Sequence, residues 1–413
     1  MCITFIIIVL VIIITIPIVT VKTKKTNNEQ ASTAEETTIE ITEKMKITTE
    51  LTTTSSTTTI TSTTTITSTT AASTISITTA IPQWTMTGDM NVARKFHTAS
   101  MLINGKVLVI GGYNGITLNS AELYDPLTGI WTIITSMNTE RQEHTASVFT
   151  DGTVLVAGGI KDKVFLNTAV LYNPSTDSWT TMGNMRGVRG AHKATKLKND
   201  KVLISGGDGG SGFLYSAELY DPSTGIWTRT SSMNHQRVDH AISLLTDGKV
   251  LVAGGNNYRG PLNSAELYDP LTEFWTETGS MSVTRQCSTL STLINGKVLI
   301  AGGFNGGYLK SAELYDPSTG YWTSTGSMNY ARQCHTASLL SNGKVLVTGG
   351  YNGIYINNTE IYDPSTGIWT ISTDMNIARQ QHTATILTNG ILLVAGGEGD
   401  APYLNNVERY PLP

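Results

Sequence analysis

Four short runs of apolar and β-branched residues recur along most of the chain, each closed by turn residues. In their first occurrence they read HTASMLI (97–103), KVLVIGG (106–112), SAELYDP (120–126) and IWTII (130–134). They are too short for helices and predict four antiparallel strands, A to D. Asn104-Gly105 joins A to B with hairpin chemistry, because a type I′ turn needs positive φ at both central positions. D-P-L-T-G joins C to D: Pro presets φ and Gly takes the left-handed position. Gly pairs close the B runs at 111, 158, 206, 254, 302, 349 and 396, spaced by 47 or 48 residues. All seven Trp keep the same period (84, 131, 179, 227, 275, 322 and 369), with a Met six residues after each. Four strands per repeat at this period are the signature of a propeller blade, so 82–413 is predicted to be one all-β, seven-bladed propeller. The last repeat lacks a strand D at its end. PQWTMT (82–87) supplies it by pairing with NNVERY (405–410), and the ring closes without a free sheet edge.

The pattern before residue 82 differs. Residues 1–21 are almost wholly apolar and long enough to cross a hydrocarbon core of about 30 Å. They are read as a signal peptide or an uncleaved membrane anchor, since neither a basic n-region nor a small-residue cleavage site is present. Residues 22–81 contain the Thr/Ser tract 52–70, with no apolar face and no period, and are expected to form a disordered stalk. Lys22, Lys24 and Lys25 favour a cytosolic propeller by the positive-inside rule, whereas the mucin-like tract favours an extracellular one. We expect a secreted or single-pass membrane protein with the propeller outside.

Composition narrows the function. The chain has 413 residues, only 15% charged, with a net charge of −4, so the basic footprint of a nucleic-acid binder is missing. Three Cys cannot frame a small disulfide scaffold. Cys287 and Cys334 occupy equivalent positions in adjacent repeats and are expected to be free thiols. A monomer is expected, with no cofactor and no metal.

The repeat resembles the kelch motif: a hydrophobic strand ending in GG, then a Tyr, then a Trp at fixed offset. The fuller wording AELYDP, R-Q-x-H-T-A and NGKVLVAGG is similar to surface or secreted kelch proteins and to the propeller of galactose-oxidase-like proteins. The latter family implies a copper site completed by a further domain and a Tyr–Cys cross-link.

Residues present in nearly every repeat serve every repeat. Trp and Tyr are expected between blades. The invariant Arg94, Arg141, Arg189, Arg237, Arg285, Arg332 and Arg379 are expected to pair with the strand-C Glu and so fix blade to blade, except in repeat 2, where Val170 replaces the Glu and leaves Arg141 free with Glu143 close by. A ring of these Arg reading an anionic ligand is the functional alternative. The repeated His97, His144, His192, His240, His335 and His382 are not expected to bind metal, because sheets pack about 10 Å apart.

Ligand recognition is expected at the variable positions instead. Two residues after each Arg stand Phe96, Glu143, Ala191, Asp239, Cys287, Cys334 and Gln381. The loops after each Gly pair carry Tyr113, Asp208, Asn256, Tyr258, Phe304 and Tyr351, with Tyr308, Tyr355 and Tyr403. Both sets belong to the D–A and B–C connections, hence to one rim. Exposed aromatics beside Asn and Gly suit sugars or a peptide anchor. The reading is a non-catalytic module that binds a protein or glycan partner through this face. The alternatives are a carbohydrate oxidase or epimerase, and an intracellular actin-associated scaffold. No catalytic residue is assigned. Asn357 in Asn-Asn-Thr is a glycosylation site if the chain is exported.

Overall fold

The computed structural model describes residues 9–14, 18–25, 34–44, 47–52, 73–80 and 82–411. They divide into two units, 1–81 and 82–413. In the first, Val9–Ile14 pairs with Ile47–Thr52, and Ala34–Lys44 lies between Ile18–Lys25 and Ser73–Ala80. The strands described within 22–81 run through Thr- and Ile-rich sequence, which favours extended backbone and alternates with charged residues in 37–44. The tract 53–72 lies outside the described residues. Among the described residues no helix is long and apolar enough to cross a membrane, and 1–8 and 15–17 of the apolar segment are not described.

The second unit is a seven-bladed propeller. Blade 1 consists of strand A (Thr98–Met101), B (Val107–Ile110), C (Ala121–Asp125) and D (Ile130–Ile134), paired in that order and all antiparallel. Blades 2 to 6 repeat this order over 145–181, 193–229, 241–278, 289–324 and 336–371. Blade 7 is built from Thr383–Ile386, Ile391–Ala395 and Val407–Pro411, completed by Thr85–Met86. The register places Met86 opposite Glu408 and Thr85 opposite Arg409, so the two ends of the ring meet as expected.

Strand B of blades 1 to 6 is buried at every position, VLVI in blade 1 and VLVA in blade 2, because both faces of its sheet are covered by other blades. One hydrophobic cluster fills each gap between blades. Val107, Val109 and Tyr124 of blade 1, for example, pack with Leu393, Ala395 and Val407 of blade 7 around Met90. Each such side chain contributes roughly 1.5–3 kcal/mol. The strand-C Tyr packs against its cross-strand Trp, tilted with centroids 5.1 Å apart for Tyr124–Trp131 and stacked at 5.0 Å for Trp84–Tyr410 at the seam. Trp131 Nε1 then donates to Gly88 O of the preceding connection at 2.8 Å.

The repeated Arg holds each connection to its blade. Arg237 Nη1 donates to Gly254 O (2.9 Å) and Ser264 O (2.9 Å), and Nη2 to Glu266 Oε1 at 2.8 Å. Glu266 in turn accepts from the Asn234 and His235 backbone N–H groups of the connection, at 2.6 and 3.2 Å. The same ion pair recurs in six blades at 2.8–3.0 Å between groups with almost no exposure. The main chain of the Arg crosses to the neighbour: Arg141 O accepts from Gly112 N at 2.9 Å, and the series runs round the ring to Arg94 O with Gly397 N. The expected Arg–Glu pairing is therefore present, but it acts within a blade. The blade-to-blade link is the carbonyl.

Blade 2 lacks the carboxylate. Arg141 keeps its bonds to Gly158 O, Thr168 O and Thr168 Oγ1, and burial pulls its pKa down to about 10. Glu143 does not replace the missing partner.

Three outcomes follow for stability. Glu360→Ala strips a buried Arg332 of its counter-ion and two N–H groups of their acceptor, and should cost about 3–5 kcal/mol in denaturant unfolding. Val170→Glu restores in blade 2 what six blades have and should raise Tm; a lower Tm would refute the pairing logic. Deleting residues 82–90 removes strand D of blade 7 and should lower the melting midpoint, which an unchanged thermal scan would contradict.

Candidate functional site at the channel mouth

The Gly pair creates the site by letting backbone approach backbone. A Cβ at Gly111 would lie 2.5 Å from Arg141 O, and one at Gly112 2.6 Å from Lys95 O; both residues have positive φ. Past this contact each D–A connection bridges the first residue of its own B–C loop, as in Gly190–Asp208, Val238–Asn256 and Gln286–Phe304. The two variable sets seen in the sequence thus form one rim.

The residue after each bridge turns into the channel. Phe96, Glu143, Ala191, Asp239, Cys287, Cys334 and Gln381 all have φ between 51° and 55°. Left-handed backbone at a non-Gly residue costs roughly 1–3 kcal/mol, and it is retained in all seven blades. Successive members are hydrogen-bonded along the mouth: Glu143 N to Phe96 O, Ala191 N to Glu143 O, Cys287 N to Asp239 O, Cys334 N to Cys287 O and Gln381 N to Cys334 O, each at 3.0–3.1 Å. Equivalent positions on adjacent blades are therefore far closer here than the 10 Å of packed sheets, because blades converge at the axis.

These seven side chains line a cavity of about 650 Å³, together with Lys193, Asp208, Asn256, Gln286, Phe165 and Phe213. Below them is a belt of buried His. Nε2 of His97, His144, His192, His335 and His382 meets a Thr hydroxyl of the preceding blade at 2.9–3.1 Å. The belt breaks where Lys193 replaces the Thr, so that His240 turns to Ser205 (3.0 Å), and where Ala241 faces Ser288. Outside the cavity, Phe304, Tyr308, Tyr351 and Tyr355 form a run of ring contacts with centroids 5.3–5.6 Å apart. Tyr113 meets Tyr403 edge-on at 5.7 Å, and Tyr258 stacks on Phe213 at 4.8 Å.

The KLHDC2/KLHL20/DRC7 Kelch-repeats domain matches over 143–341 and 191–397, and the Kelch motif over 94–138. The chain belongs to the kelch-repeat family. No curated protein sequence matches it. Among solved structures, the kelch propeller is similar to a fungal alcohol oxidase of the AA5 family in complex with copper. The identity is 20% and the TM-score 0.67, covering 81% of this chain and 77% of that one. It is also similar to YjhT, at 17% identity and TM-score 0.55, over 70% and 99% of the two chains. At these identities the likeness concerns the fold.

The electrostatics of this kelch propeller are concentrated on one side of the mouth. Burial, then the charge of Asp239, raises the Glu143 carboxyl to about 7. Burial also raises Asp239, against the pull of Lys193. At neutral pH Glu143 is thus both a donor and an acceptor. The His belt is the opposite case: burial, followed by the neighbouring Arg, lowers His97 to about 3, so its imidazole stays neutral. Buried amide oxygens of Gln286, Asn256 and Gln381 and the Ser288 hydroxyl have no protein partner.

Several expected site residues fall elsewhere. Arg94, Arg141, Arg189, Arg237, Arg285, Arg332 and Arg379 are 0% exposed and bonded to backbone oxygens, so they do not reach a ligand. Asn357 donates to Met375 O at 2.8 Å, as Asn167, Asn263 and Asn405 do at the equivalent positions, and its amide is committed to packing rather than free for a glycan. Sequence reasoning missed Lys193, Gln286, Phe165 and Phe213. The signal for Lys193 was its place in a column otherwise occupied by Thr and one Ala.

The raised pKa of Glu143 sets a pH effect. Protonation is favoured by folding, so the group's contribution is full below its ordinary value of 4.5 and is lost as pH rises through about 7. Glu143→Gln should therefore gain stability relative to wild type as pH climbs across that window. Parallel Tm–pH curves for the two proteins would show that the carboxyl is not held up.

Proposed function

We propose that this kelch propeller is a binding module that takes a glycan at the channel mouth. The observation that carries the reading is the run Phe304–Tyr308–Tyr351–Tyr355 beside a cavity rich in unpaired amide oxygens and carboxyls. Sugar rings offer apolar faces to aromatic side chains and hydroxyls to polar ones, and this surface supplies both kinds of contact over adjoining blades. Glu143 in its protonated form and Asp239 offer hydroxyls a donor and an acceptor within the same cavity. Variable loops on a rigid frame are the usual place for recognition. In this reading the propeller works outside the cell, released or held at a membrane by 1–21, with 22–81 as its spacer.

An oxidase needs a different donor set. Among the described residues no group of three or more His, Cys, Asp or Glu is placed to hold a metal ion, and the His Nε2 atoms are engaged by hydroxyls.

Binding to a panel of immobilised glycans tests the proposal. Tyr308→Ala and Tyr351→Ala should each weaken the best glycan roughly tenfold or more, about 1.4 kcal/mol, with the fold intact by circular dichroism. Tight stoichiometric copper with alcohol-dependent peroxide release, or undiminished glycan binding by both variants, would overturn it.

A further inference from the structure

Cys287 and Cys334 are neighbours in the ring of left-handed residues. Each has φ of 51°, so their side chains leave the backbone in the same sense. Cys334 N donates to Cys287 O at 3.1 Å. That bond, with standard backbone dimensions, holds the two Cα atoms within at most roughly 7 Å. Disulfides form at Cα separations of about 4.4–6.8 Å. Both thiols are free, and both side chains are partly exposed and line the same cavity. No other pair of blades carries Cys at this position.

We propose that Cys287 and Cys334 form a dithiol modification site, closed to an interblade disulfide by exchange with a low-molecular-weight disulfide. One thiol loses its proton to solvent and attacks a sulfur of R–S–S–R, forming a mixed disulfide and expelling one thiolate. The second thiol, deprotonated in turn, attacks the protein sulfur of that intermediate and expels the other. Two S–H bonds are lost and one S–S bond forms. The protein is oxidised by two electrons, and the small disulfide is reduced to two thiols. The cavity wall between blades 5 and 6 then exchanges two S–H groups for an apolar bridge. The mouth of the channel is joined covalently where a backbone hydrogen bond alone joined it.

The groups facing Cys287 set the rate. The Cys334 side chain, burial and the charge of Asp239 hold its thiol protonated, and Lys193 opposes them. Since the thiolate is the attacking species, closure should be slow at neutral pH and faster in mildly alkaline buffer.

The test uses the full chain with Cys2→Ser, so that only these two thiols remain. After incubation with glutathione disulfide, intact mass should fall by two hydrogens, and both alkylatable thiols should be lost. A digest should contain one cross-linked peptide joining 287 and 334, and Tm should rise by several degrees. Cys287→Ser under the same conditions should carry a single glutathione on Cys334. Glutathione on both cysteines without a cross-link, or two thiols still alkylatable after alkaline incubation, would overturn the proposal.

Discussion

Everything in this propeller depends on one hydrogen bond made seven times: the carbonyl of the connecting Arg accepts from the second Gly of the preceding blade. It needs two conditions. The acceptor side must be rigid, which the buried Arg ensures by donating to three elements of its own blade. The donor side must come within van der Waals contact of backbone, which only Gly permits. A single bond of this kind contributes about 1 kcal/mol. Its greater effect is geometric, because it fixes where every connection enters the channel. The six ion pairs are means to that end. Buried charge pairs add little net stability against an apolar replacement, yet losing one partner is expensive, so each repeat keeps both or, like blade 2, accepts an Arg held by neutral acceptors alone.

The fold was almost wholly legible because repetition amplifies weak signals. One run of VLVIGG says little; seven at spacings of 47 or 48 fix strand order, ring size and the closing strand at Thr85–Met86. The Arg–Glu pairing could be read because a column of six Glu matches a column of seven Arg. Its direction could not, since spacing alone does not tell whether a connection is held by the blade it leaves or the one it enters. Before residue 82 there is no repeat to amplify the signal, and Thr-rich sequence reads as low complexity although Thr itself favours extended backbone.

The site was legible by address rather than by contents. The positions after each Arg and each Gly pair meet on one rim, where the bridges between them bring Asp239 and Asn256, or Glu143 and Ile160, together. What the sequence hid was convergence. The 10 Å spacing of packed sheets holds at the blades' middles and fails at the axis, where Cys287 and Cys334 share a hydrogen bond. It also hid which repeated residues are spent. Seven Arg on one rim suggest an anion site until each guanidinium is found bonded to backbone oxygens.

The breaks in the His–Thr belt adjoin one another. The His–Thr belt is intact through five links and fails only at blades 3 to 5, where Lys193, Ala241 and Ser288 replace its members. Asp239 and Cys287 face the cavity over the same arc, with Cys334 at its edge and the aromatic run on blades 5 and 6 beside it. A scaffold needs none of these changes, since the other blades close the ring without them. Relaxed constraint would spread substitutions around all seven blades. The breaks in the belt fall on one sector, and Asp239, whose carboxyl burial raises, lies on that sector too. The seven-fold frame supplies positions of equal geometry, and specificity enters through the few blades that differ.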